Sequence, residues 1–393
     1  MARAIRGDRQ DRQGRESHRV DVVQHRSRKS EIAVRSREMI AFAEPEHLGP
    51  SATNGQIAAI NLNSARRGAW ARFAQDHRLP GIAEAIVDHE RLVLQFLGDV
   101  DALDRLDALA FQFAREDDTS RAALVQAEVA SAAHRFEDAR SHLARAAQIG
   151  APLDAVKRQA LAIDQACGVE LDAVLVARRG LATASGRLED LIPLGAVLAD
   201  LERFAEADSV YRQALSSYDD VSPFPLAWTC FQLGMLWGEL VSIPDPGLAA
   251  CWYQRAIGYL PGYVKARVHL AEIYASLGRT SDAQVLLLPA LSSHDPEVRW
   301  RFADVLVAQG RLEEASRQLE AARFGFDQIL GKHPLAFADH AAEFYAGAGN
   351  DLQRAFKLVR TNVANRPTRR AVRQAQAIAK MADASATSDR IPS

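Results

Sequence analysis

The stretch AACWYQRAIGYLP, residues 249–261, shares a spacing with ADSVYRQALSSY, residues 207–218. In each stretch an alanine is followed four residues later by a tyrosine and seven residues later by a second alanine. Positions 0, 4 and 7 lie on one face of an α-helix. The two stretches therefore predict two equivalent helices, which pack through Ala207, Tyr211 and Ala214 in one case and Ala249, Tyr253 and Ala256 in the other.

The same spacing recurs along the chain with a period near 34 residues. Successive leading alanines are 34, 34, 42, 34 and 32 residues apart, and they are Ala139, Ala173, Ala207, Ala249, Ala283 and Ala315. The longest step contains two proline-rich insertions, SPFP and SIPDPG. A period of this length predicts an array of similar helical units.

Each of these helices has a predicted partner upstream. A small residue precedes the leading alanine by twelve residues in four copies and by fifteen in another; these residues are Ala127, Gly195, Ala271, Ala303 and, at fifteen, Gly234. A glycine often closes the first helix, as in ASLGR (275–279) and VAQGR (307–311). One unit is therefore a helix, a tight turn, a second helix and a break, with proline at many of the breaks.

The units resemble the tetratricopeptide repeat. LGMLW (233–237), followed by Ala249, Tyr253, Ala256 and Pro261, matches most of the signature of that family, and LAEIYASLGRTSDA (270–283) is a second good copy. The first aromatic residue of the signature is replaced by Cys230 in one copy and by Arg267 in the other. The resemblance implies an all-α fold, a right-handed α-solenoid of stacked antiparallel helix pairs whose first helices line a concave groove.

The pattern divides the chain into five segments. We expect a disordered basic tail at 1–55, divergent helical hairpins at 56–117, tetratricopeptide-like repeats at 118–367, a capping helix at 368–384 and a disordered tail at 385–393. Single hairpins of this size cannot bury their apolar faces alone, so the stack needs a cap at each end.

Composition excludes several function classes. The net charge of −2 gives no general attraction to nucleic acid, and the basic tail has no interleaved aromatic residues to stack on bases. No apolar run is long enough to span a membrane. Three scattered cysteines and the lack of a signal-like segment favour the cytoplasm. Sequence motifs of the common nucleotide-binding, metal-dependent and nucleophilic enzymes are missing. We therefore expect no catalytic residues, cofactor or metal.

A ladder of polar residues accompanies the first helices. A base lies two residues before the small residue and an acid lies one after it, in the pairs His269 and Glu272, Arg301 and Asp304, and His340 and Glu343. Each pair could stabilise its own helix, or the pairs could line the concave surface together. A metal site built from both histidine pairs is disfavoured, because two repeats separate them.

Aromatic and methionine side chains fall on the same inner face. They could anchor a partner or pack between neighbouring repeats. The predicted function is a non-catalytic scaffold for an unidentified protein or peptide partner, bound as a peptide or helical segment in the groove; the alternative is an accessory or sensor subunit of an enzyme or transcription-regulator complex. The predicted groove residues are Trp228, Gln232, Met235, Glu239, Lys265, His269, Glu272, Trp300, Arg301, Asp304, His340 and Glu343.

Overall fold

The computed structural model describes residues 50–116 and 119–388. In these ranges the chain forms eighteen α-helices and no β-strand. The predicted N-terminal tail, residues 1–55, therefore lies outside the described residues as far as residue 49. In chain order the helices are α1 (Gly55–Gln75), α2 (Ile82–Leu97), α3 (Ala102–Glu116), α4 (Ser120–Ala132), α5 (Phe136–Gln148), α6 (Leu153–Cys167), α7 (Leu171–Ser185), α8 (Leu188–Asp200), α9 (Phe204–Ser216), α10 (Pro223–Met235), α11 (Pro246–Tyr259), α12 (Val264–Ser276), α13 (Thr280–Leu287), α14 (Pro296–Ala308), α15 (Leu312–Lys332), α16 (Ala338–Ala346), α17 (Leu352–Asn365) and α18 (Arg369–Ser388).

Neighbouring helices pair as the repeats predict. The closest pairs are α4–α5, α8–α9, α10–α11, α12–α13, α14–α15 and α16–α17, and the first helix of each pair also contacts its neighbours along the stack. The predicted all-α solenoid of antiparallel pairs is therefore confirmed. Among the described residues, every helix is too short or too polar to serve as a membrane span.

Two of the pairs are held by a ring against a glycine. A Cβ atom built on Gly234 would lie 2.4 Å from Cε1 of Tyr253, and one built on Gly195 would lie 2.5 Å from Cε1 of Tyr211. Each tyrosine therefore fills the space that a side chain would need on the first helix. In three other pairs the first helix has alanine and the second has leucine at the equivalent position: Ala127 and Leu143, Ala271 and Leu287, and Ala303 and Leu319.

The repeat helix at 249–261 is buried on more than its predicted face. Ala249 and Ala256 are fully buried, and Tyr253 is nearly so. Trp252, which lies off the repeat register, is buried as well. The guanidinium of Arg212, from the preceding repeat, lies 5.0 Å from the centre of the Trp252 ring and covers it. The cluster of rings in this stretch thus belongs to the core of the solenoid.

The repeat copy predicted at Ala173 is wrong. Ala173, Ala177 and Gly180 are exposed, whereas Val174 and Arg178 on the same helix are buried. The apolar face of α7 starts one residue later than the alanine spacing indicates, because the β-branched Val174 and the neighbouring leucine supply more apolar surface than alanine does.

The N-terminal helices are joined by a buried carboxylate that the sequence pattern did not indicate. Glu90 on α2 is fully buried. It accepts hydrogen bonds from the indole of Trp70 on α1 at 2.8 Å and from the guanidinium of Arg105 on α3 at 2.9 Å, and Arg66 lies 3.4 Å away. A buried charge with this many partners fixes the three helices relative to one another.

The N-terminal hairpin packs against the middle of the chain instead of standing apart from it. The ring of Phe96 on α2 lies 5.2 Å from Phe224 and 6.5 Å from Trp228 on α10, and 4.8 Å from Tyr263, which precedes α12 (distances between ring centres). Helix α2 therefore covers part of the inner face of the repeats, where an open groove is expected.

Polar contacts from the C-terminal repeats complete the enclosure. His333, after α15, lies 2.8 Å from Asp104 on α3, and Asn365 on α17 donates to the carbonyl of His134. On α18, Arg373 lies 2.7 Å from Glu202, in the turn after α8. Helix α18 also continues to Ser388, beyond the predicted end at 384, since MADASATS has no glycine or proline to stop it.

We expect Gly234→Ala to destabilise the protein by about 1–3 kcal/mol, because the added methyl group collides with Tyr253. The matched control is Gly258→Ala on α11, where a Cβ meets nothing within 4 Å and removal of glycine should stabilise the helix by about 0.5–1 kcal/mol. Urea unfolding measures both. Combining Gly234→Ala with Tyr253→Leu should recreate an alanine–leucine pair and cost less than the two single changes added together; simple additivity would contradict the proposed fit.

Candidate functional site

The enclosed inner face contains a cavity of about 450 Å³. Its walls come from α2, α3, α4, α10, α12, α16 and α18 and from the segments that precede α3, α5, α14, α16 and α18. Half of the predicted groove residues line it: Trp228, Gln232, Met235, Lys265, His269 and His340. The structure therefore brings these six together around one space, although they come from three repeats.

The predicted aromatic and methionine anchors differ in their accessibility. Trp228 is half-buried and stacks on Phe231 at 5.7 Å. Met235 is buried, and Trp300 is 4% exposed, with its ring centre 5.5 Å from that of Phe344. The guanidinium of Arg301 lies 3.5 Å from the ring of Trp300 and covers its remaining face. Trp300 thus packs between repeats, which leaves Trp228 as the accessible ring.

The polar ladder connects neighbouring first helices more closely than it connects residues within each helix. Arg301 on α14 lies 2.7 Å from Glu272 on α12 and 3.1 Å from Glu343 on α16. Its own helix partner, Asp304, is 3.9 Å away. The residues found from the spacing do form ion pairs, but these pairs run along the solenoid axis and tie three repeats together.

One guanidinium serves several carboxylates in this ladder. Arg301 is also 3.6 Å from Glu297, so four acids surround a single cation. We call Glu272, Asp304 and Glu343 the acidic face; their side chains are 32%, 47% and 54% exposed, against 14% for Arg301. Burial raises the pKa of Glu272 to about 7, although Arg301 and His269 favour its ionised form. Burial also raises the pKa of Asp304 to about 6, so two of the three carboxyl groups of the acidic face ionise at a cost that one guanidinium does not fully offset.

His340 and Glu297 form a second ion pair beneath the acidic face. Nδ1 of His340 lies 3.1 Å from Oε2 of Glu297, which is buried. Burial disfavours the charged imidazole, but the carboxylates of Glu297 and Asp339 outweigh it and raise the pKa of His340 to about 8. Burial likewise opposes ionisation of Glu297, yet His340 and Arg301 hold its pKa well below the usual range. Both groups are charged at neutral pH.

Glu239 enters the site through an irregular turn. A π-helical turn, Leu236–Leu240, extends α10 before the SIPDPG insertion. The Glu239 carboxylate lies 2.8 Å from Nδ1 of His269 and 3.3 Å from the guanidinium of Arg370 on α18. Turns of this type are frequent at functional sites. Glu239 forms an ion pair with His269, and Glu297 forms one with His340. Both histidines of the metal site that the sequence disfavours are therefore paired with carboxylates.

Several residues of the site were missed by the sequence pattern. Glu297 follows Pro296 in the first turn of α14, four residues before Arg301, so an i,i+4 pair was available as a signal. Arg366 forms an ion pair with Asp339 and donates to Oδ1 of Asn362 at 2.9 Å. Asn362 is the residue that breaks the last repeat, where a small side chain is expected, and its buried amide explains that departure.

Comparison with other proteins adds little to this geometry. No protein-family model and no curated protein matches the chain. The C-terminal part of a TPR repeat-containing protein from Cytophaga hutchinsonii aligns over 74% of this chain and 97% of its own, with 12% identity and a TM-score of 0.31. Yeast Tom70 aligns over 85% and 97%, with 11% identity and a TM-score of 0.27. The chain is a tetratricopeptide-like solenoid. Its own helical hairpins show this fold, and TM-scores below 0.5 add no support to it.

The stabilising effect of the His340–Glu297 pair should depend on pH. A histidine whose pKa rises from 6.5 to about 8 on folding stabilises the fold by about 2 kcal/mol below pH 6.5 and loses this contribution as the pH rises through 8. We therefore expect His340→Gln to lower the free energy of unfolding by about that amount at pH 5.5 and by little at pH 9. Urea titrations of both proteins at the two pH values measure this, and an equal loss at both would rule out the charged pair.

Proposed function

We propose that this chain is a non-catalytic interaction scaffold that binds a basic peptide or helical segment of a partner protein on the acidic face. The observation that carries the proposal is the set of carboxylates around Arg301, where Glu272, Asp304 and Glu343 share one guanidinium and the fourth acid, Glu297, is also paired with His340. Burial of Glu272 makes its ionisation costly, so a second cation would lower the free energy of that carboxylate. A partner arginine or lysine supplies such a cation.

The arrangement of the acidic face suits an elongated ligand. Glu272, Asp304 and Glu343 belong to three successive first helices, α12, α14 and α16, so their carboxylates follow the axis of the solenoid. A segment with several basic residues can contact one repeat after another, and each contact adds to the affinity. A compact cation would use one or two of these carboxylates.

Within the chain, α18 provides an example of the same recognition. Three arginines on this helix, Arg369, Arg370 and Arg373, form ion pairs with Glu202, in the turn after α8, or with Glu239, in the π-helical turn after α10. Basic side chains on a helix are thus already paired with acids of the preceding repeats. An incoming basic segment would extend the same pattern toward α12, α14 and α16, where the carboxylates outnumber their cations.

The proposal predicts that Glu272→Gln, Asp304→Asn and Glu343→Gln together remove partner binding. Each change keeps the shape of the side chain and deletes a charge, so the affinity should fall about tenfold or more. The measurement is quantitative affinity purification from the native host, followed by titration of the recovered partner with the purified protein. Binding should also weaken at higher salt and as the pH falls below about 7, where Glu272 takes up a proton.

The matched control removes three other charges, with Asp219→Asn, Glu313→Gln and Glu320→Gln. These side chains are exposed and, within the described part of the chain, form no ion pair. Equal recovery of the same proteins by the wild type, the control and the acidic-face variant would overturn the proposal. Loss with the acidic-face variant alone, with an unchanged urea midpoint, would support it.

A further inference from the structure

The cavity beneath the acidic face has the dimensions of a small-molecule site. Its volume of about 450 Å³ falls within the range of about 300–1,000 Å³ that such sites occupy. One side is apolar and includes the rings of Trp228, Phe231 and Phe337. Because it is walled by helices from both ends and the middle of the chain, it exists only in the enclosed solenoid.

Two cations in the wall of the cavity are Lys265 and Arg91. Lys265 on α12 is half-buried, and Arg91 on α2 lies at the exposed edge. Among the residues that the structure describes, neither forms an ion pair or a hydrogen bond. A half-buried ammonium group without a counter-charge is unfavourable, and an anion in the cavity would compensate for it.

The carboxylates of the cavity are already engaged or poorly ionised. Asp339 is paired with Arg366. Asp295 caps α14 by accepting the backbone N–H of Glu297 at 3.0 Å. Burial and the nearby Glu297 charge raise the pKa of Asp295, which weakens it as a counter-ion for Lys265. Lys265 therefore has only a weakened counter-charge in the cavity, whereas Asp88 and Glu128, outside the cavity, partly balance the charge of Arg91.

Uncharged polar groups in the wall could orient a ligand. Nδ1 of His134 is buried and has no hydrogen-bond partner. Burial, together with the charge of Arg366, lowers the pKa of His134 to about 4, so its imidazole is neutral. Its single N–H donates to the backbone of Leu335, which leaves Nδ1 as an acceptor for a hydroxyl or amide group of a ligand. The amides of Gln95 and Gln232 also line the cavity, and neither has a partner among the described residues.

We propose that this cavity binds a small organic anion, with its acidic group at Lys265 and its apolar body against Trp228 and Phe231. The class includes aromatic and aliphatic carboxylates, sulfonates and phosphate monoesters, since each joins an anionic head to an apolar body. The site is separate from the acidic face, which attracts ligands of the opposite charge. The protein would then have two ligands, a small organic anion in the cavity and a macromolecular partner on the acidic face.

The probe for this proposal is 8-anilinonaphthalene-1-sulfonate, an aromatic sulfonate whose fluorescence rises in apolar sites. Calorimetric and fluorescence titration of the full chain should give saturable binding of one molecule per chain. Lys265→Met should weaken it about tenfold or more, because the sulfonate loses a charge-assisted hydrogen bond. Arg91→Met, at the exposed edge, should weaken it less and is the second variant if Lys265→Met does not fold.

Two controls isolate the charge. Lys357→Met removes an exposed lysine of α17 outside the cavity and should leave the affinity unchanged. N-phenyl-1-naphthylamine has the same rings without the sulfonate, and its affinity should not respond to Lys265→Met. Sulfonate binding that is equal in wild type, Lys265→Met and Arg91→Met, or no saturable binding, would overturn the proposal. Either result would leave binding to the acidic face intact, because that is measured with a basic partner.

Discussion

The close approach of a tyrosine ring to a glycine backbone determines how the central repeats stack. Tyr253 lies over Gly234, and Tyr211 lies over Gly195, with no room for a side chain on either glycine. That contact sets the distance between the two helices of a unit, and the unit in turn sets where the next first helix can pack. In the units that begin with α12 and α14 an alanine–leucine pair occupies the same position, so the line of carboxylates on the acidic face follows from both kinds of contact.

The two proposed surfaces are electrostatically opposite although they are neighbours. His269 and His340 lie between them: each lines the cavity, and each is bound by a carboxylate of the ladder. The imidazoles therefore separate the acidic face from the cations of the cavity. The pKa of each histidine is raised and that of its carboxylate partner is lowered, so both pairs favour the ion-paired form, which has no net charge and limits the influence of one surface on the other.

The repeat register could be predicted from the sequence because it depends on residues close together in the chain. The alanines around Tyr211 and Tyr253 mark the same helix face in each copy, and only the copy at Ala173 was misplaced. The ladder residues were found for the same reason. Their partners were not: contacts such as those of Arg301 with Glu272 and Glu343 join residues about 30 to 40 positions apart, and the direction of a side chain across a repeat is set by packing.

The enclosure could not be predicted at all from local patterns. Phe96 is an ordinary apolar residue of an amphipathic helix in the sequence, and nothing near it indicates that it packs on Phe224, which is 128 positions away. Trp300 shows the reverse case. Its position on a first helix suggested an accessible anchor, but the ring is buried because the partner helix α15 supplies Phe326 and the next repeat supplies Phe344.

The contacts between the ends and the middle of the chain also affect how the protein unfolds. An open repeat array resembles a one-dimensional chain of units, so its terminal repeats can fray while the centre stays folded. Here α2 is packed on α10, and α18 is paired with the turn after α8, so neither end can detach without breaking contacts in the centre. The enclosed solenoid therefore has contacts of long sequence separation that an open array lacks, and such contacts slow folding and couple the loss of the ends to the loss of the centre.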